Sequence, residues 1–186
     1  MIVKMNQLNT KSAGFTIVEL LIVIVVIGIL AAITIVSFNG IQSRARDTAR
    51  VSDMRAIGKS IEVYKTFNGS LPPRGPSSSW APSNELPSAY ISDLAGSGKV
   101  MSSLPNDPIN DATYRYQYYV YGAGAHGCDP SRGIFYVLRI VRMESVPSGS
   151  RHPDSPGFTC SNGTVSRDWS SDAGVVVAWV QGGYLN

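Results

Sequence analysis

The chain has 186 residues, room for one domain with an appendage. It is 44% hydrophobic and 16% charged, with a formal net charge of +3 at pH 7; the charged share falls below the roughly 25% usual in globular domains. Lys4 and Lys11 account for two of the 16 basic side chains, so residues 15–186 carry 14 against 13 acidic ones. A balance that even gives no global electrostatic case for nucleic-acid binding.

Residues 1–14 form a short basic leader ending in Ser12-Ala13-Gly14. Phe15 to Phe38 then reads FTIVELLIVIVVIGILAAITIVSF, with Glu19 its one ionisable side chain. As a helix those residues span about 36 Å, enough for a hydrocarbon core of roughly 30 Å. An ordinary secretory signal has an apolar region of about 7–15 residues with its small-residue cleavage site after it. Here the small residues come first, and the apolar run continues past Ala31-Ala32. A single-helix anchor also fits, with the lysines holding the N-terminus in the cytoplasm and sending residues 39–186 outside.

A plain anchor leaves Glu19 unexplained, because an intramembrane carboxylate is costly and is a functional hypothesis by default. Cleavage after Gly14 would create an α-amino group on Phe15 about one helical turn away. In packed copies of this helix, the amine of one copy could neutralise the carboxylate of the next.

The run Lys11-Ser-Ala-Gly14, followed by Phe15-Thr-Ile-Val-Glu19-Leu-Leu-Ile-Val, resembles the class III signal of type IV prepilins and pseudopilins. The resemblance is close over residues 11–38 and looser to about Tyr121. It implies that a membrane-embedded aspartyl peptidase cuts between Gly14 and Phe15 and N-methylates Phe15, and that Glu19 serves assembly. The expected partners are the peptidase, the assembly platform, the membrane before assembly and further copies in a helical filament. Many of these pilins have a helix-breaking proline where this chain has Val36, so a more continuous helix is expected.

Between residues 41 and 67, Ile41, Ala45, Ala49, Met54, Ile57, Ile61 and Tyr64 recur at helical spacing and predict a core-facing stripe. Arg44, Arg46, Asp47, Arg50, Asp53, Arg55, Lys59, Glu62 and Lys65 are assigned to the other faces. That reads as a solvated or subunit-contacting surface rather than a DNA contact. Asn68-Gly69 and Pro72-Pro73 stop the helix. One helix over residues 15–67 would be roughly 80 Å long.

Residues 68–111 read as a Pro/Ser/Gly-rich connecting loop with a short helical candidate at Ser88–Ala95. Residues 112–186 carry three strand candidates, Thr113–Tyr121, Gly133–Arg142 and Gly174–Gln181. The fold class expected is α+β: a long N-terminal helical spine, transmembrane then amphipathic, packed on a small antiparallel sheet. The segment before the first strand loosely resembles major pseudopilins, some of which bind calcium. Asp107 and Asp111 are weak candidates, since calcium wants six to eight oxygens.

Cys128 and Cys160 form an even pair in the part expected outside the membrane, which favours a disulfide over a metal site or two free thiols. Such a bridge resembles the C-terminal loop disulfide of many type IVa pilins and would tie down a Gly/Pro/Ser-rich loop over residues 144–168. Asn68-Gly-Ser and Asn162-Gly-Thr match the short glycosylation sequon. His126 and His152 are the only histidines. A Cys128–His126 nucleophilic pair lacks an evident scaffold, and neither a phosphate-binding loop nor a zinc-protease signature occurs, so no enzyme is expected.

Three readings stay open: a type IV pilus subunit acting in adhesion, twitching motility or DNA uptake, a pseudopilin of a type II-like secretion system, and a membrane-anchored receptor that never assembles.

Overall fold

The computed structural model describes residues 14–76, 79–172 and 175–185. Helix α1 spans Ile17–Asn68, and its assignment is unbroken through Gly28 and Asn39-Gly40. It ends where Gly69 adopts a left-handed conformation (φ 62°) and donates its N–H to the Lys65 carbonyl at 2.9 Å, a glycine-capped stop. Of the leader expected over residues 1–14, all but Gly14 lies outside the described residues. The chain divides into two compact units, residues 1–41 and 42–186.

In the first unit the described large apolar side chains from Phe15 to Ile41 are all at least 48% exposed. The segment is long and apolar enough to cross a membrane, with a mean hydropathy of 3.2 in its best window. Among the described residues of the unit nothing covers it.

The second unit is α+β. Strands β1 (Ala81–Pro82), β2 (Tyr116–Tyr121) and β3 (Phe135–Ile140) precede two short hairpins, β4 (Thr159–Ser161) with β5 (Ser166–Asp168) and β6 (Ser171–Asp172) with β7 (Val175–Val176); β8 (Trp179–Tyr184) closes the chain. The main sheet is antiparallel in the order β1-β2-β3-β8, with Tyr116 opposite Ile140 and Phe135 opposite Tyr184. Alternation along β2 and β3 sends Tyr116, Tyr118, Tyr136, Leu138 and Ile140 into one core with Met54, Ile57 and Ile61 of α1. Those three helix residues are fully buried, each contributing about 1.5–3 kcal/mol by area removed from water.

Phe135, Val137, Val180 and Tyr184 point to the opposite face, where Trp169 and the Cys128–Cys160 bridge cover them. With both faces covered, every residue of β3 is buried.

Several sequence expectations are corrected. The third strand is shifted toward the C-terminus: Val175–Val176 pairs locally with β6, while the sheet strand runs on through Gly182 and Gly183. Gly182 is the tighter of the two, because a Cβ there would lie 2.3 Å from the Phe158 ring, whereas one on Gly183 would lie 3.0 Å from Tyr136 and would need that ring to shift slightly. Ser88–Ala95 forms turns and two isolated bridges, at Ile91 and Ala95, rather than a helix. Much of residues 68–111 is packed down instead of solvated, with Tyr90, Ile91 and Leu94 at 1% exposure or less. The supposed loop over residues 144–168 contains the β4–β5 hairpin. On α1, Ile41, Ala45 and Ala49 are exposed, whereas Asp47 and Arg50, assigned to the outside, are buried.

Candidate functional site

In the first unit, Gly14, Phe15 and Thr16 precede the helix, and the Phe15 side chain is 89% exposed. Thr16 is the N-cap. Glu19 Oε2 accepts from the Thr16 N–H and from the Thr16 hydroxyl, each at 2.8 Å, and the Glu19 N–H donates to Thr16 Oγ1 at 3.2 Å. This reciprocal arrangement is a capping box, which satisfies two of the helix's orphan donors. Glu19 thus has a partner within its own chain, one the sequence reading did not name. Its signal was present as the Thr-x-x-Glu spacing. The Gly14–Phe15 bond lies just ahead of that first helical turn, in non-helical backbone.

The second unit holds an ion cluster that ties α1 to two distant loops. The Arg50 guanidinium is fully buried. Its Nε and Nη2 donate to Asp107 Oδ2 and Oδ1 at 2.8 and 2.9 Å, and its Nη1 donates to Asp47 Oδ1 at 2.6 Å and to Glu144 Oε1 at 2.9 Å. Arg46 donates its Nε to Glu144 Oε1 at 2.7 Å. Asp47 in turn accepts the Ser145 N–H and hydroxyl.

Each charge in the cluster therefore meets an opposite one. The hydrogen bond from Arg46 is the largest influence on Glu144; with Arg50 it outweighs burial and depresses the carboxyl from 4.5 to about 2. For Arg50 burial is the largest single influence and opposes the charge, but the Asp107 and Glu144 hydrogen bonds win and its pKa is raised. For Asp47 burial is again the largest influence, overcome by hydrogen bonds from Ser145, so its pKa is lowered.

Asp107 and Asp111, the calcium candidates, are both engaged: Asp107 by Arg50 and the Ile109 amide, Asp111 by the amides of Thr113 and Tyr114. Among the described residues no group of three or more His, Cys, Asp or Glu side chains gathers into a metal site.

Cys128 and Cys160 are joined by a disulfide and buried, at 1% and 2% exposure. The Trp169 indole N–H donates to Cys160 Sγ at 3.4 Å. The bridge removes the thiol that a Cys–His nucleophile would need, and His126 instead lies edge-on to Tyr121 and Trp169. Asn68 and Asn162, the sequon residues, are exposed.

The family model described as the prokaryotic N-terminal methylation motif matches residues 9–35. Over 104 residues the chain is 26% identical to the type IV major pilin protein PilE1 of Neisseria gonorrhoeae, covering 55% of this chain and 49% of that protein. It is 36% identical over 62 residues to the type II secretion system core protein G of Escherichia coli, covering 33% and 43%. A third match, to core protein G of Dickeya chrysanthemi, is 26% identical over 129 residues, 64% of this chain and 74% of that protein. The chain thus spans about half the length of the first of these relatives. All three are structural pilins and pseudopilins rather than enzymes. No solved structure is matched.

Proposed function

We propose that this chain, related to type IV major pilins and to type II secretion pseudopilins, is a structural subunit of a type IV pilus. In this reading it begins as a single-pass precursor with its N-terminus in the cytoplasm, and a prepilin peptidase cuts between Gly14 and Phe15 and methylates Phe15. An assembly platform then draws the helix from the membrane into an extracellular filament whose core is built from residues 15–38. Adhesion, twitching motility and DNA uptake are the filament's candidate tasks.

One observation carries the proposal: a helix with no covered apolar side chain across Phe15–Ile35 that begins with a single carboxylate beside a Gly-Phe junction. Apolar surface of that extent needs lipid or other copies of the same helix around it. The capping box supplies Glu19 with hydrogen bonds before assembly. In a bundle of processed helices the Phe15 amine of a neighbouring copy supplies the opposite charge.

A second reading, a pseudopilin in a secretion fibre, is favoured by the match covering 74% of a core protein G. Both readings use the same assembly chemistry and differ in where the processed subunit ends up.

The test is Glu19→Leu. Filament subunits would be processed normally yet fail to assemble. For a non-assembling anchored receptor the change would be neutral or stabilising, so wild-type filament yield from this variant would sink the proposal.

A further inference from the structure

A cleft of about 470 Å³ opens beside the end of β3 in the second unit. Among its lining residues are Arg115, Arg142, Thr113, Ser148, Ser150 and Val146. Most other cations of this unit are engaged: Arg46, Arg50, Arg55, Lys65 and Lys99 in ion pairs, Arg132 against the Tyr184 ring, and Arg139 against Gln117 and Trp80. Like the exposed Arg44 and Lys59, Arg115 and Arg142 have no hydrogen-bond or ion-pair partner for their charge among the described residues, but these two line one cleft, beside the likewise unpartnered hydroxyls of Thr113, Ser148 and Ser150. Asp111 lies within Coulomb reach of Arg115, but its Oδ1 accepts the amides of Thr113 and Tyr114 at 2.7 Å each.

We propose that this cleft binds a carboxylate-bearing sugar, such as a uronic acid unit of an acidic polysaccharide. Two guanidinium groups match a carboxylate, which the planar fork of arginine recognises bidentately. The three hydroxyls complement sugar hydroxyls, and Val146 offers an apolar patch for the C–H face of a ring. The volume falls in the roughly 300–1,000 Å³ range of small-molecule sites and exceeds what a lone inorganic anion fills. The proposal stands independently of filament assembly, since every residue it uses lies in the second unit.

The experiment titrates purified full-length protein in detergent with a galacturonate tetramer, followed by saturation-transfer NMR. The fully methyl-esterified tetramer, identical in skeleton but uncharged, serves as the comparison. The proposal expects the acid form to bind at least about tenfold more tightly than the ester, the scale of one hydrogen bond to a charged group. Arg115→Gln with Arg142→Gln should abolish that preference, while Arg44→Gln with Lys59→Gln, which removes two exposed cations elsewhere, should preserve it. Circular dichroism melts verify that each variant folds. Equal binding of acid and ester overturns the proposal, as does equal loss in the control pair. Displacement of the tetramer by an equal concentration of inorganic phosphate would also overturn it, by reducing the cleft to a plain anion site.

Discussion

Arg50 and Asp107, 57 positions apart in the chain, meet as a buried two-pronged pair, with Nε to Oδ2 at 2.8 Å and Nη2 to Oδ1 at 2.9 Å. Both side chains have zero exposure. The pair fastens the loop that enters β2 to the helix, and Glu144, just past β3, joins it through the same guanidinium.

Arg50→Met should therefore be strongly destabilising, because it leaves the Asp107 carboxylate buried with no counter-charge. The expected loss is about 3–5 kcal/mol, a drop in melting temperature on the order of 10 °C for a unit of this size. Arg50→Lys should rescue little, since an ammonium cannot reproduce the two-pronged geometry. Arg46→Met should cost about 1 kcal/mol or less, as that side chain is 33% exposed. Thermal denaturation of the purified variants, followed by circular dichroism, ranks the three.

Acid should loosen the same seam. The Glu144 carboxyl is depressed from 4.5 to about 2 in the folded protein, so its contribution is fully present above about pH 4.5 and is lost as pH falls toward 2. The size of that contribution is on the order of 3 kcal/mol. Urea denaturation between pH 6 and pH 2 should show stability falling across this window. Glu144→Gln should start lower and give a flatter profile; an unchanged profile would remove Glu144 from the account.

Breaking the disulfide should act locally. By the chain-entropy account a loop of about 30 residues is worth on the order of 3–4 kcal/mol. The bridge holds Trp169 and the β4–β5 hairpin against the outer face of the sheet. Cys128→Ser with Cys160→Ser should speed amide exchange at Thr159–Asp168 far more than in β3. The Trp169 emission should also shift toward that of an exposed indole.

Strands β2 and β3 were legible because alternation in Thr113–Tyr121 and the β-branched and aromatic apolar run Gly133–Arg142 favour strands, although the strands themselves cover only Tyr116–Tyr121 and Phe135–Ile140. The helix was legible for the same kind of reason, and its end is marked by Asn68-Gly69. The last strand was misplaced because Gly182 and Gly183 carry no strand signal; they join the sheet through long-range pairing with Val137 and Tyr136 of β3. Arg50 was misassigned by charge, although Asp47, Arg50, Met54, Ile57 and Ile61 recur at spacings of three and four, the rhythm of a buried stripe. Its partners Asp107 and Glu144 are long-range, and no local pattern names them. At the candidate site the Gly14-Phe15 junction and Glu19 stand out in the sequence as candidates, while Thr16, which caps the helix with Glu19, was passed over despite the capping-box spacing.

Thr16 should set the helix start. Thr16→Val removes the hydroxyl that accepts the Glu19 N–H and should fray the first turn at a cost of about 1 kcal/mol. Thr16→Ser should restore it, and Glu19→Gln should keep much of the cap, since glutamine also serves at that position. Amide exchange of Ile17–Leu20 in detergent micelles distinguishes these outcomes. Equal protection in all three variants would count against the cap.

The central claim is that the chain is cut between Gly14 and Phe15 and then leaves the membrane as a filament. Intact-mass analysis of the protein in sheared extracellular material, beside the membrane fraction, tests it most directly. The account predicts a sheared-fraction species lacking residues 1–14 and carrying one added methyl group. The same processed mass confined to the envelope would move the assignment to a pseudopilin. An uncut chain found only in the membrane would contradict the account.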